Sequence, residues 1–100
     1  GAALLPVLYE AYGPGGAALL IEVLTDSRNR VSNELKYLLS ENAGNLASPG
    51  AAAWAFEKTA EGWKPTTTIP LEDADLEKLD KLVEALEANE DVQEVVTNAE

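Results

Sequence analysis

One hundred residues make one ordinary domain, long enough to bury a core and too short for two independent ones. An apolar share of 46% with only two Trp, three Tyr and one Phe describes a globular chain with an aliphatic core, not a disordered one. Eighteen acidic against seven basic side chains leave a net charge of −11, which repels polyanions and argues against a grip on DNA, RNA or anionic membranes by this domain alone.

In chain order, Leu4 to Tyr12 and Ala17 to Thr25 are β-branched, aromatic and aliphatic, and the turn signal Gly13-Pro14-Gly15-Gly16 lies between them, so a hairpin is predicted. In its second strand Leu19, Ile21 and Val23 share one face. Thr25-Asp26-Ser27 offers capping side chains ahead of Val31, Leu35, Leu38 and Leu39 at helical spacing. That helix is expected to stop near Asn42-Ala43-Gly44, with Gly44 in the left-handed conformation, before a loop over residues 45–50. From Ala51 to Lys58 the alternation predicts a strand with Ala52, Trp54 and Phe56 on one face. A turn at Thr59-Ala60-Glu61-Gly62 leads to a second strand from Trp63 to Leu71, where Pro65 and Pro70 restrict it to strand ends or a sheet edge. Asp73 is placed to cap a second helix whose buried stripe is Leu76, Leu79, Leu82, Val83 and Leu86. Val92 to Thr97 returns as the last strand.

The order β-β-α-β-β-α-β contains the unit of a ferredoxin-like two-layer sandwich, an α+β fold in which two helices cover one face of a mainly antiparallel sheet. The additional leading strand conflicts with that unit, because its first strand normally has both neighbours taken. Strand order stays open on the sequence.

The chemistry-bearing patterns are few. The chain holds neither Cys nor His, so disulfides, thiolate or imidazole metal sites and His-dependent triads are excluded. Gly13-Pro14-Gly15-Gly16 lacks the Lys-Ser/Thr of a phosphate loop and precedes a strand, so it reads as a structural turn. Asp73, Asp75, Glu77 and Glu84 fall at calcium-loop spacing, but Lys78 stands where the loop needs Gly, and the leucine period runs straight through them; they read as a solvated helix face. No catalytic residues, metal or cofactor are expected. The chain also lacks Met and begins at Gly1, which points to a cleaved leader or a piece cut from something longer. No stretch has the length of a membrane span, and the expected setting is intracellular and soluble.

Arg28, Asn29 and Arg30, with Lys36 further along the same helix, form the basic cluster. It suits either a phosphate contact or pairing with neighbouring acids, and the second is favoured against the acidic background. Trp54 and Phe56 suit base stacking or core packing, and packing is favoured.

Longer motifs carry a family resemblance. Residues 9–16 (Tyr-Glu-Ala-Tyr-Gly-Pro-Gly-Gly), residues 22–30 (Glu-Val-Leu-Thr-Asp-Ser-Arg-Asn-Arg), Gly44-Asn45-Leu46, Trp54-Ala55-Phe56, Thr67-Thr68-Ile69-Pro70-Leu71 and residues 90–95 (Glu-Asp-Val-Gln-Glu-Val) resemble the central domain of YebC-type proteins. That family includes PmpR-like regulators and the mitochondrial translational activator of cytochrome oxidase. The resemblance implies a core domain lacking the family's basic helical first domain. It also implies two halves, about 1–58 and 66–100, joined by a bridge at 59–65 where the family carries an inserted domain. Glu41-Asn42-Ala43-Gly44 replaces a more basic family segment, which weakens an inherited nucleic-acid role. The function implied is a non-catalytic scaffold or docking module in transcription or translation control, with the ribosome or another protein as partner and Tyr9, Tyr12 and Arg28 to Arg30 in the contact surface. Its location would be cytoplasmic, or mitochondrial for a eukaryotic relative. The alternative is an engineered or domain-deleted scaffold with no activity of its own.

Overall fold

Strands β1 (Leu5–Tyr12) and β2 (Ala18–Thr25) pair antiparallel from Leu5↔Thr25 to Tyr12↔Ala18 in the computed structural model, which describes residues 3–100. The turn between them is structural, as its composition predicts. Gly15 has φ 71° and lies so close to Leu71 that a Cβ would come within 2.5 Å of the end of that side chain, a backbone conformation that favours glycine.

Helix α1 (Arg28–Glu41) starts at Ser27, whose hydroxyl accepts the Arg30 N–H at 3.2 Å, satisfying one of the free donors of the first turn. At its other end the roles of Ala43 and Gly44 are the reverse of the expectation. Ala43 takes the left-handed backbone (φ 62°), while at Gly44 a Cβ would meet the Tyr12 carbonyl oxygen at 2.8 Å. Glycine is needed there for close approach of two backbones rather than for its dihedral freedom. Helix α2 (Asp73–Glu87) is preceded by Glu72, not Asp73, at the capping position, and Asp73 and Asp75 occupy the first turn, where negative charge favours the positive end of the helix dipole.

Both helices lie on the same sheet face. Ala11, Leu19, Ile21 and Val23 of the sheet are buried with Val31, Leu35 and Leu39 of α1 and Leu79, Leu82 and Leu86 of α2. The predicted α+β architecture, two helices over one face of a mainly antiparallel sheet, is therefore what forms. The sheet order is β3-β1-β2-β6, with β3 (Asn45–Leu46) short and β6 (Val92–Thr97) antiparallel to β2. This order answers the conflict over the leading strand. Strands β4 (Phe56–Thr59) and β5 (Gly62–Pro65) form a separate two-stranded hairpin, which leaves both edges of β2 to β1 and β6.

The hairpin and its approach lie on the opposite face, where Ala18, Leu20, Ala52, Ala55 and Phe56 make a second buried cluster flanked by Tyr12, Trp63 and Val96. Here the strand predicted over Ala51 to Lys58 is corrected. Residues 53–55 form a 3-10 turn and the strand begins only at Phe56. The cause is Glu10: its carboxylate accepts the N–H groups of Gly50 (2.7 Å), Ala52 (2.9 Å) and Ala53 (2.7 Å), donors that a strand would have spent on a ladder. Trp54 and Phe56 consequently do not share a face; Phe56 is 6% exposed and Trp54 62%. The second predicted strand is shorter too. It ends at Pro65, which has no N–H to continue the pairing, and the chain runs on until Ile69 bridges to Ala99.

Candidate functional site

The end of β2, the start of α1 and the turn before β6 converge on Arg30. Its guanidinium reaches Asp91 at 2.6 Å, Asp26 at 3.1 Å and Glu34 at 3.0 Å. Asp91 also accepts the Thr25 hydroxyl at 2.8 Å, and Glu34 accepts the Asn89 amide at 2.9 Å. The bond from Asp91, then those from Asp26 and Glu34, push the guanidinium further into its charged form. The Thr25 hydroxyl and then Arg30 outweigh burial and hold the Asp91 carboxyl below its ordinary value. Arg30 is thus a clamp between three segments, with its donors directed at carboxylates of its own chain.

Arg28 and Lys36 are placed differently. Both are exposed, and among the described residues neither makes an ion pair. They flank a groove of about 360 Å³ bounded by Leu8, Tyr9, Leu46 and Ala47 along the outer side of β1. Tyr9 joins this corner to the helix: its hydroxyl bonds with the Ser32 hydroxyl at 2.7 Å and donates to the Arg28 carbonyl at 3.3 Å. Asn29 is exposed in the first turn of α1. Tyr12 lies on the other sheet face, where its hydroxyl donates to the Ala51 carbonyl. Of the six sequence-derived candidates, Tyr9, Arg28 and Lys36 come together, Asn29 is their neighbour on the helix, Arg30 is committed to acids, and Tyr12 is apart.

The groove exists because β1 is only half covered. β3 pairs with Ala11 and Tyr12 alone, and Ala47 adds one bond to the Glu10 carbonyl at 2.9 Å. From Leu5 to Tyr9 the outer edge has no strand beside it among the described residues. Leu5 and Leu8 are 48% and 38% exposed along that stretch.

Two features have no counterpart in the sequence pattern. Glu10 organises the loop before β4, although nothing in its spacing singles it out. Glu22 and Glu94 stand opposite each other on β2 and β6. The hydrogen bond that the protonated Glu94 carboxyl donates to Glu22, then burial and like charge, raise the Glu94 carboxyl above its ordinary value. Lys58 of the hairpin approaches Glu22 at 3.6 Å and lies 5.4 Å from the Trp63 ring centre. Cross-strand register reveals such a pair, and register is not visible until strand order is known. Among the described residues no group of His, Asp or Glu is placed to hold a metal ion, and no helix is long and apolar enough to cross a membrane.

Fold and edge together define an α+β sandwich whose antiparallel sheet keeps an open outer strand beside a small basic corner. Within that class the chain belongs to the TACO1/YebC family: the sequence model of the TACO1/YebC second and third domain matches residues 4–62 and 58–99. It is 41% identical over 108 residues to a probable transcriptional regulatory protein of Petrotoga mobilis, covering all of this chain and 40% of that protein. A probable transcriptional regulatory protein of Fervidobacterium nodosum is 32% identical over 151 residues, covering 92% of this chain and 60% of that protein. The chain therefore spans between about two fifths and three fifths of these relatives' lengths. The crystal structure of a conserved hypothetical protein from Aquifex aeolicus superposes with a TM-score of 0.92 at 24% identity, over 100% of this chain and 66% of that one; at that identity the likeness is one of fold.

Proposed function

We propose that this chain is the non-catalytic docking core of a YebC-type regulator of transcription or translation, acting in the cytoplasm and meeting its partner along the Arg28 and Lys36 side of β1. One observation carries the reading: in a chain of net charge −11, Arg30 is neutralised by its own acids while Arg28 and Lys36 stand without ion pairs among the described residues, beside an open strand edge. Two cations suit a partner that adds shape and hydrogen bonding to charge. They are too few to hold bare DNA or RNA, whose binding rests on many phosphate contacts. A ribosomal or protein partner is the better match.

Co-sedimentation with ribosomes at low and near-physiological salt tests this. Retention is expected at low salt and should weaken as salt rises. Absence of retention at low salt counts directly against ribosomal docking. Labelled duplex DNA and RNA, run in parallel, are expected to show no binding near physiological salt.

The domain arrangement belongs to the same proposal: halves at about 1–58 and 66–100, joined by the bridge 59–65. In support, the two family matches overlap at 58–62, within the β4–β5 hairpin, and the Fervidobacterium alignment runs to 151 residues while covering 92% of this 100-residue chain. A relative with extra residues at that hairpin accounts for both. The hairpin itself favours a second reading, a domain-deleted scaffold without activity. Thr59 pairs with Gly62 across Ala60 and Glu61, and the Thr59 hydroxyl closes the turn by donating to the Gly62 carbonyl at 2.7 Å. A scaffold of this kind is retained by ribosomes at no salt concentration.

A further inference from the structure

We propose that the open edge of β1 receives an extended peptide strand whose side chains alternate between acidic and apolar. The proposal rests on the docking reading above and names the chemistry of the partner.

The backbone directions come from one bond. Ala47 donates to the Glu10 carbonyl from the β3 side, so the even-numbered residues of β1 turn their polar groups away from β2. Leu8 therefore presents an N–H and a carbonyl outward, and Pro6 a carbonyl, along the stretch that β3 does not reach. Pro6 lacks an N–H, as befits a strand edge with no partner strand among the described residues. A row of this kind asks for a partner that donates and accepts at strand spacing. A peptide strand supplies that ladder directly, whereas a nucleic-acid backbone supplies mainly acceptors.

The side chains beside the edge set the sequence of the added strand. On the helix side of the sheet stand Arg28 and Lys36, both exposed and without ion pairs among the described residues. The acid that shares their groove, Glu10, is already taken up by three backbone N–H groups. On the other side stand Pro6 and Leu8, with Leu8 38% exposed. Because successive residues of a strand point to opposite faces, an added strand meets cations with one set of side chains and apolar surface with the other. Acidic and apolar residues in alternation satisfy both.

The test is fluorescence anisotropy with a labelled peptide of about nine residues alternating Glu and Val, enough to cover a strand of ordinary length. A Lys and Val counterpart and a single-stranded RNA serve as competing probes. The expected result is saturable binding of the Glu peptide, at least about tenfold tighter than its Lys counterpart. Leu8→Pro removes an outward N–H and leaves the bonds to β2 alone, so it should weaken binding by about tenfold or more with the melting curve preserved. The pair Arg28→Glu and Lys36→Glu, which does not alter β1, should do the same and covers the case in which Leu8→Pro fails to fold. The proposal is overturned if the folded Leu8→Pro chain binds the Glu peptide as tightly as the parent, or if the RNA binds and the peptide does not. Ribosome retention without peptide binding removes strand addition and leaves the docking reading standing. Peptide binding without ribosome retention does the reverse.

Discussion

Truncating Leu82 to Ala is expected to lower the stability of this domain by about 3–4 kcal/mol. Leu82 is fully buried between the helices and the sheet. Its surroundings have little room to close over a lost side chain. One methyl of Leu82 already lies within 3.2 Å of where a Gly13 Cβ would be and within 3.3 Å of the Gly44 position. Both glycines sit where backbone segments are tied together, Gly13 by its N–H to Ala17 and Gly44 by its N–H to Leu39, so the cavity persists and its cost adds to the lost burial. Against the roughly 5–15 kcal/mol that holds a small domain together, this is a large share. It corresponds to a fall in melting temperature of about 15 °C, which urea or thermal unfolding will read. A loss below about 1 kcal/mol would mean that the core relaxes around the gap.

Glu10→Ala should cost about 2–3 kcal/mol, because it leaves the N–H groups of Gly50, Ala52 and Ala53 without their acceptor. The effect should be local as well as global, with amides of residues 50–55 losing protection from exchange first. Its pH dependence has a definite sign. Burial pushes the Glu10 carboxyl up, but the three N–H donors together outweigh it and hold it below the ordinary range. A carboxylate depressed in the folded state contributes stability that is present above its unfolded value, about 4.3, and is lost as pH falls through the folded one. The parent should therefore lose stability on acidification below about pH 4 more steeply than Glu10→Gln does. Asp91, depressed by Thr25 and Arg30, contributes in the same direction in both proteins and drops out of the comparison.

Much of the fold could be read from local pattern. The β1–β2 hairpin, both helices and β6 announce themselves through alternation, leucine spacing and turn residues, and each forms within a few residues of its expected bounds. What could not be read depends on contacts distant in sequence. The Ala and Trp alternation after Gly50 imitates a strand over a few residues, and only a carboxylate 42 positions before Ala52 diverts it into a 3-10 turn. Gly44 looks like a helix cap, and only the nearby Tyr12 carbonyl shows why glycine is there. The withdrawal of β4 and β5 into their own hairpin follows from β2 having β1 and β6 for neighbours, a fact of strand order that no periodicity encodes.

The basic cluster shows the same division. In sequence, Arg28 and Arg30 are equivalent neighbours; in the fold one faces a groove and the other is paired with Asp26, Glu34 and Asp91. Ribosome retention at low salt, measured for Arg28→Ala and Arg30→Ala beside their melting curves, separates docking from structure most directly. Arg28→Ala should keep the parent's melting temperature and lose retention. Arg30→Ala should melt earlier and, at temperatures where it is folded, still be retained. Retention that survives the loss of Arg28 but disappears with Arg30 would contradict a docking edge at β1.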